Sequence, residues 1–405
     1  MSLEPEDIKN DVTAEEMLEE EEEQQANRRK WLLLLLLLLL LLCCGCGLFY
    51  KYWKQPEPLP EMIPVVPEVE YPPHYLFSIY GVDRPVGVAL SPSGDRLYVA
   101  ETGGDRLIKM FDPDGNLLGS FPAPETRPGE RSPVYMATDM DGRLFVSDRL
   151  QHAIYVYDRD GNYIDTILDY SLTLSEFVSK HTGGLQDGTA FVYNIFWQDV
   201  RYTPAGSDEI QLLPAPDRAV WAPLGLRIDA EGNLWVTDVA KDANTVRFFP
   251  AEALDPTTWK TDFDPQGFQF GEQGQELGQF LYPNTAVRDS QGRVFISDGN
   301  NGRISVWSAE GEYLFTFGKG TGDGALSLPR GAFIDYKDRL FITDAVGQDI
   351  KVFDVSGEEP QFLYTRGEYG LEDGQFNYPN DIVVDRSGRL YIADRENNRI
   401  QVWLY

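Results

Sequence analysis

The stretch Tyr378-Pro379-Asn380-Asp381-Ile382-Val383-Val384-Asp385-Arg386-Ser387-Gly388-Arg389-Leu390-Tyr391-Ile392-Ala393-Asp394 decides the fold. It places a Pro, a Gly turn nine residues later and an Asp six residues after that, with apolar runs on both sides of the turn. The same anchors recur at Pro133/Gly142/Asp148, Pro223/Gly232/Asp238 and Pro283/Gly292/Asp298. Pro329/Asp338/Asp344 keeps the spacing with Asp in the turn, and Pro85/Gly94/Glu101 carries one extra residue and Glu for Asp. A period of this length with strand-like filling is the mark of a repeat architecture.

The filling alternates with period two. Each turn leads into a β-prone run that ends in a small residue, as in Leu144-Phe145-Val146-Ser147 and Leu340-Phe341-Ile342-Thr343. Branched and aromatic residues at that density fit a buried strand. A polar hairpin such as Asp298-Gly299-Asn300-Asn301-Gly302 follows, then an alternating strand such as Ile304-Ser305-Val306-Trp307. Asn and Gly tolerate the positive φ of such turns. After a second turn, Leu314-Phe315-Thr316-Phe317 reads as a fourth strand. Four short antiparallel strands per unit make one propeller blade.

Two stretches, Gly278–Asn284 and Gly374–Asn380, share the pattern Gly-Gln-Phe-x-Tyr-Pro-Asn, and the second runs on through Asp385–Asp394 to Asn398-Arg399-Ile400-Gln401-Val402. In these residues the chain resembles the NHL-repeat family of β-propellers, over roughly residues 75–405 in six copies. The resemblance implies an all-β, six-bladed ring. The last copy supplies three strands, and Leu76-Phe77-Ser78-Ile79-Tyr80-Gly81 is similar to Leu314–Gly318, so the first strand is expected to complete the last blade. That pairing would remove two exposed edges.

Ahead of the ring, residues 31–50 form a continuous apolar run centred on Leu32–Leu42. Twenty helical residues span roughly 30 Å, the hydrocarbon thickness of a bilayer. A single transmembrane helix is therefore expected, after an acidic, helical cytoplasmic tail at 1–30 and before a Pro/Glu-rich stalk at 51–73. Arg28, Arg29 and Lys30 on one flank against Lys51 and Lys54 on the other favour an extracytoplasmic ring at the cell surface. Cys43, Cys44 and Cys46 all lie in the apolar run, so the ring has no disulfide. The formal net charge of −30 argues against a nucleic-acid partner.

Few residues offer chemistry. Some NHL-type enzymes, the peptide-amidating lyases, hold zinc with several His; the resemblance does not extend to that set here, where His74, His152 and His181 are the whole supply and fall in the stalk, a hairpin and a loop. The repeated Asp148, Asp238, Asp298, Asp344 and Asp394 read as turn caps, because an equivalent residue in every blade serves the scaffold. Function is sought in departures from the repeat. Residues just after each Pro open the innermost strand at the mouth of the central channel, where Tyr135, Asn284, Arg330, Asn380 and Asp381 stand out. Asn284, Asn380 and Asp381 offer oxygens suited to Ca²⁺. A second departure is the insert 168–221, rich in aromatics such as Tyr170, Phe177, Phe196 and Trp197, with a short helix expected at Ser175–His181. Long loops on a rigid scaffold are disproportionately functional.

These features predict a membrane-anchored binding or scaffold propeller that engages a protein, peptide or glycan through one face. Its binding face is expected to hold Tyr135, Trp197, Asn284, Arg330, Asn380 and Asp381, with no required cofactor. The alternative is a Ca²⁺-dependent hydrolase or lyase at the channel mouth.

Overall fold

A computed structural model of the 405-residue chain describes residues 14–54, 72–167, 182–184, 186, 188–194, 199–213, 222–240, 244–254 and 268–405. Residues 55–71 of the expected stalk, the Ser175–His181 segment and Trp197 lie outside the described residues, while 51–54 continue the helix. The chain divides into two units, Met1–Val66 and Pro67–Tyr405.

The first unit holds one helix, Ala14–Lys54. Within it, Asn27–Gly47 is long and apolar enough to cross a membrane. Leu32 to Leu42 are exposed on every side of this helix. The helix runs without a break from the acidic segment through the apolar one.

The second unit is a six-bladed propeller of four-stranded antiparallel sheets. Its innermost strands are Pro85–Leu90, Pro133–Thr138, Pro223–Ile228, Pro283–Arg288, Pro329–Ile334 and Pro379–Val384, in blades one to six. Each packs on the innermost strand of the next blade, and the sixth on the first. Blade six takes its outer strand from His74–Ile79, which pairs antiparallel with Arg399–Leu404 and closes the ring. His74 therefore opens a strand and is not part of the stalk.

The core lies between blades. Both faces of each sheet are covered, so successive residues of a strand enter different layers. Phe145 packs toward blade three with Leu226 and Val236, while Leu144 and Val146 pack toward blade one with Tyr98 and Ile108. This explains why strands such as Leu144–Asp148 are buried at every position. The insert is not all loop: Ala190–Asn194, Asp199–Thr203 and Gln211–Leu213 form a separate three-stranded antiparallel sheet.

The anchors of the repeat have distinct jobs. Each Pro faces its Asp across the first strand pair, as Pro133 faces Asp148 and Pro379 faces Asp394. Lacking an N–H, Pro suits the strand's first position. The Asp reaches past it to the preceding loop: Asp148 accepts from Ser132 N, Asp238 from Ala222 N, Asp298 from Leu281 N, Asp344 from Leu328 N and Asp394 from Asn377 N, at 2.7–3.0 Å. Glu101 does the same for Asp83 N at 2.7 Å. The turn position between them takes positive φ, +84° at Gly142 and +54° at Asp338, which explains its Gly or Asp.

Candidate functional site

The residue after each Pro projects at one mouth of the channel. In blades one to three these are Val86, Val134 and Leu224, which cluster with the buried Tyr135. In blades four to six they are Asn284, Arg330 and Asn380. The mouth is thus apolar on one half and polar on the other.

Deeper by one residue, odd blades carry Gly87, Gly225 and Gly331, and even blades carry Tyr135, Thr285 and Asp381. The glycines permit backbone contact between inner strands: a Cβ on Gly225 would lie 1.8 Å from the Asn284 carbonyl oxygen, and one on Gly87 would lie 2.0 Å from that of Val134. The space left on the axis is filled by Tyr135, 1% exposed, whose hydroxyl accepts a 3.3 Å bond from Asn380 Nδ2. Burial pushes the Tyr135 phenol well above its ordinary value, so it stays neutral. Asn380 Nδ2 also donates to the Val86 carbonyl at 3.0 Å, across the seam between the last blade and the first.

Asp381 is fully buried and meets a partner that sequence reading passed over. Arg227, on the innermost strand of blade three, crosses the channel to place its Nη2 2.5 Å from Asp381 Oδ1 in blade six. Arg227 also donates to the Ala332 carbonyl of blade five at 3.1 Å. Asp381 Oδ2 accepts from Val88 N of blade one at 3.0 Å. Burial raises the Asp381 carboxyl above its ordinary value, opposed by the Arg227 charge. A guanidinium therefore stands beside the carboxylate that the sequence assigns to Ca²⁺. Asn284 is likewise engaged: its Oδ1 accepts from Arg330 Nη1 at 2.7 Å and its Nδ2 donates to the Tyr282 carbonyl at 2.9 Å. Among the described residues no group of three or more His, Cys, Asp or Glu is arranged to hold a metal.

The Arg227–Asp381 pair divides the channel. Beyond it, at the mouth opposite the prolines, lies a cavity of about 410 Å³. Ala89 and Ala137 give it room, Met136, Phe333 and Val383 line it, and Arg227 forms its polar floor. Arg227 occupies the register that holds Ala89, Ala137, Val287, Phe333 and Val383 in the other blades. Comparing the blades two residues further along the strand than Asp381 finds it.

The fold and the plugged, two-mouthed channel define a six-bladed β-propeller with inter-blade ties from side chains at its axis. The family model for the NHL repeat matches residues 376–403. That match and the six-bladed ring support an NHL-repeat β-propeller. The peptidylglycine alpha-amidating monooxygenase of Rattus norvegicus is 26% identical over 309 residues, 72% of this chain and 30% of the rat protein. The NHL repeat-containing protein 2 of Gallus gallus is 22% identical over 347 residues, 78% of this chain and 46% of the chicken protein. The chain thus spans less than half the length of either relative. Among solved structures, virginiamycin B lyase from Staphylococcus aureus superposes with a TM-score of 0.51 at 13% identity, covering 83% of this chain and 100% of the lyase. That likeness is one of fold.

Proposed function

We propose that this chain is a membrane-anchored propeller whose ring serves as a binding platform, engaging a protein, peptide or glycan through one face without transforming it. The observation that carries this reading is the Arg227–Asp381 pair. Asp381 is the carboxylate among the polar residues of the channel mouth, and a guanidinium from the opposite side of the ring already balances its charge. A cation at that site has to displace a buried ion pair. The ties of Asn284 to Arg330 and of Asn380 to Tyr135 likewise favour rigidity over reaction. Anchoring is supported by the apolar window Asn27–Gly47 and by the Arg28-Arg29-Lys30 flank, which favours an extracytoplasmic ring.

The test is thermal unfolding of the full chain in detergent micelles, with chelator and then with Ca²⁺. Under this reading the midpoint stays within about 1 °C, whereas a bound ligand at a hundred times its dissociation constant stabilises by ~2.7 kcal/mol. A Ca²⁺-specific rise that disappears in Asp381→Ala would replace the platform with the Ca²⁺-dependent hydrolase or lyase. For the anchor, the chain should stay with membranes through alkaline carbonate extraction. A membrane-impermeant thiol reagent should reach a Glu359→Cys ring from outside intact cells. Release by carbonate, or labelling only after lysis, would refute anchor and orientation respectively.

A further inference from the structure

We infer that the proline-side mouth of the channel receives an oxyanion, the carboxylate or phosphate group of the ligand, and that Arg330 is its anchor. This deepens the platform reading and rests on it. Several guanidinium groups of the ring face carboxylates: Arg303 faces Asp298 and Arg399 faces Asp394 at 2.8 Å, and Arg293 faces Asp289 at 2.7 Å. Arg330 does not. Its Nη1 donates to the Asn284 amide oxygen at 2.7 Å and its Nη2 to the Tyr378 hydroxyl at 2.8 Å, both neutral. Its Nε is buried and has no acceptor among the described residues. The rings of Tyr282 and Tyr378 each lie 5.7 Å from the guanidinium carbon.

Arg131 is also held by neutral groups, but its donors are spent on the carbonyls of Asp105, Arg106 and Thr126, its Nε included, whereas the Arg330 Nε is unsatisfied. The nearby Arg84 and Arg395 share the Glu396 carboxylate at 2.9 and 2.6 Å, so that carboxylate is already taken. Arg395 also lies against the Tyr378 ring, at 5.6 Å. The Tyr378 hydroxyl accepts from Arg330 and keeps its own proton to donate. The second hydrogen on each Arg330 Nη and the Tyr378 hydroxyl proton therefore remain to donate, beside the guanidinium charge. A planar fork of this kind matches carboxylate and phosphate oxygens. Asn284 and the two tyrosines fix the guanidinium beforehand, which lowers the ordering cost of binding.

The experiment compares unfolding of the full chain in micelles with succinate, with inorganic phosphate and with chloride at matched ionic strength. The expected result is a midpoint rise on the order of 3 °C with an oxyanion and none with chloride, lost in Arg330→Gln. A rise with succinate alone assigns the carboxylate, and a rise with phosphate alone assigns the phosphate; both support the site. No rise beyond chloride, or an equal rise in Arg330→Gln, overturns it. Should that variant fail to fold, phenylglyoxal modification of the wild-type chain gives the same decision. The oxyanion should protect Arg330 from modification at least several-fold, and unchanged labelling overturns the inference. Neither readout depends on Ca²⁺, so the site fails without taking the platform reading with it.

Discussion

Arg227 shows how one side chain organises an axis. Its partner Asp381 is 154 positions away in the chain and on the far side of the ring. Removing one member of a buried pair strands the other, at a cost of about 3–5 kcal/mol. Arg227→Met is therefore expected to lose that much in denaturant titration, and Arg227→Met with Asp381→Asn to regain most of it. Simple additivity of the two single changes would disprove the coupling. Asp148 carries a different charge problem. It accepts from Ser132, Leu150 and Gln151 N–H groups through Oδ1, yet burial pushes its carboxyl up to about 6. Its folded value lies above its unfolded one, so its contribution is complete at low pH and is lost as pH rises from about 4 through 6. The penalty at neutral pH is on the order of 3 kcal/mol. Asp148→Asn keeps Oδ1 and is expected to flatten that part of the stability–pH curve; an unchanged slope between pH 4 and 7 would refute the assignment. The cap role of Asp148 was legible because it is local. Arg227 was not, because an Arg in an alternating strand reads as an outward residue until the ring brings blade six opposite it.

Between elements, hydroxyl groups join neighbouring blades. Ser147 Oγ donates to the Leu224 carbonyl at 2.6 Å, Thr237 to that of Asn284 at 3.2 Å and Thr343 to that of Asn380 at 3.1 Å. Each hydroxyl comes from the small penultimate residue of its blade's second strand, and each acceptor belongs to the next blade's innermost strand. The sequence displayed those small residues in every repeat, but their reason is contact between repeats, which periodicity within one repeat cannot carry. Thr343 also accepts from Gly331 N at 2.9 Å. Thr343→Val keeps the shape and orphans a buried N–H, so a loss of about 1–3 kcal/mol is expected in the same titration. A loss below about 0.5 kcal/mol would mean that the ring relaxes to satisfy the group elsewhere. The insert teaches the same limit. Its departure from the repeat located it, but its three-stranded sheet has no counterpart in the other blades from which to read its register. By contrast, the blades themselves were legible because six copies agree on where strand and turn alternate.

At the scale of the molecule, charge and closure decide behaviour. Burial raises the carboxyls of Glu101, Asp139, Asp298 and Asp381 as well as that of Asp148. Folding therefore takes up protons in mildly acid solution, and stability grows as pH falls toward 5. Relief of self-repulsion in a chain of net charge −30 works in the same direction. Asp112, held below its ordinary value by Asn116, has the opposite slope, but only below about pH 4. The unfolding midpoint is expected to be higher at pH 5 than at pH 8, and the reverse order would contradict the burial argument. The closure has a mechanical consequence. Five of the joints between blades are covalent loops; the sixth is the paired strands His74–Ile79 and Arg399–Leu404. The chain that leads from the N-terminal helix enters the ring at His74. Tension along it would load that hydrogen-bonded joint before any other, so in a single-molecule pulling experiment the first rupture should free only the first strand. The ring would then open like a clasp, with its other five blades intact.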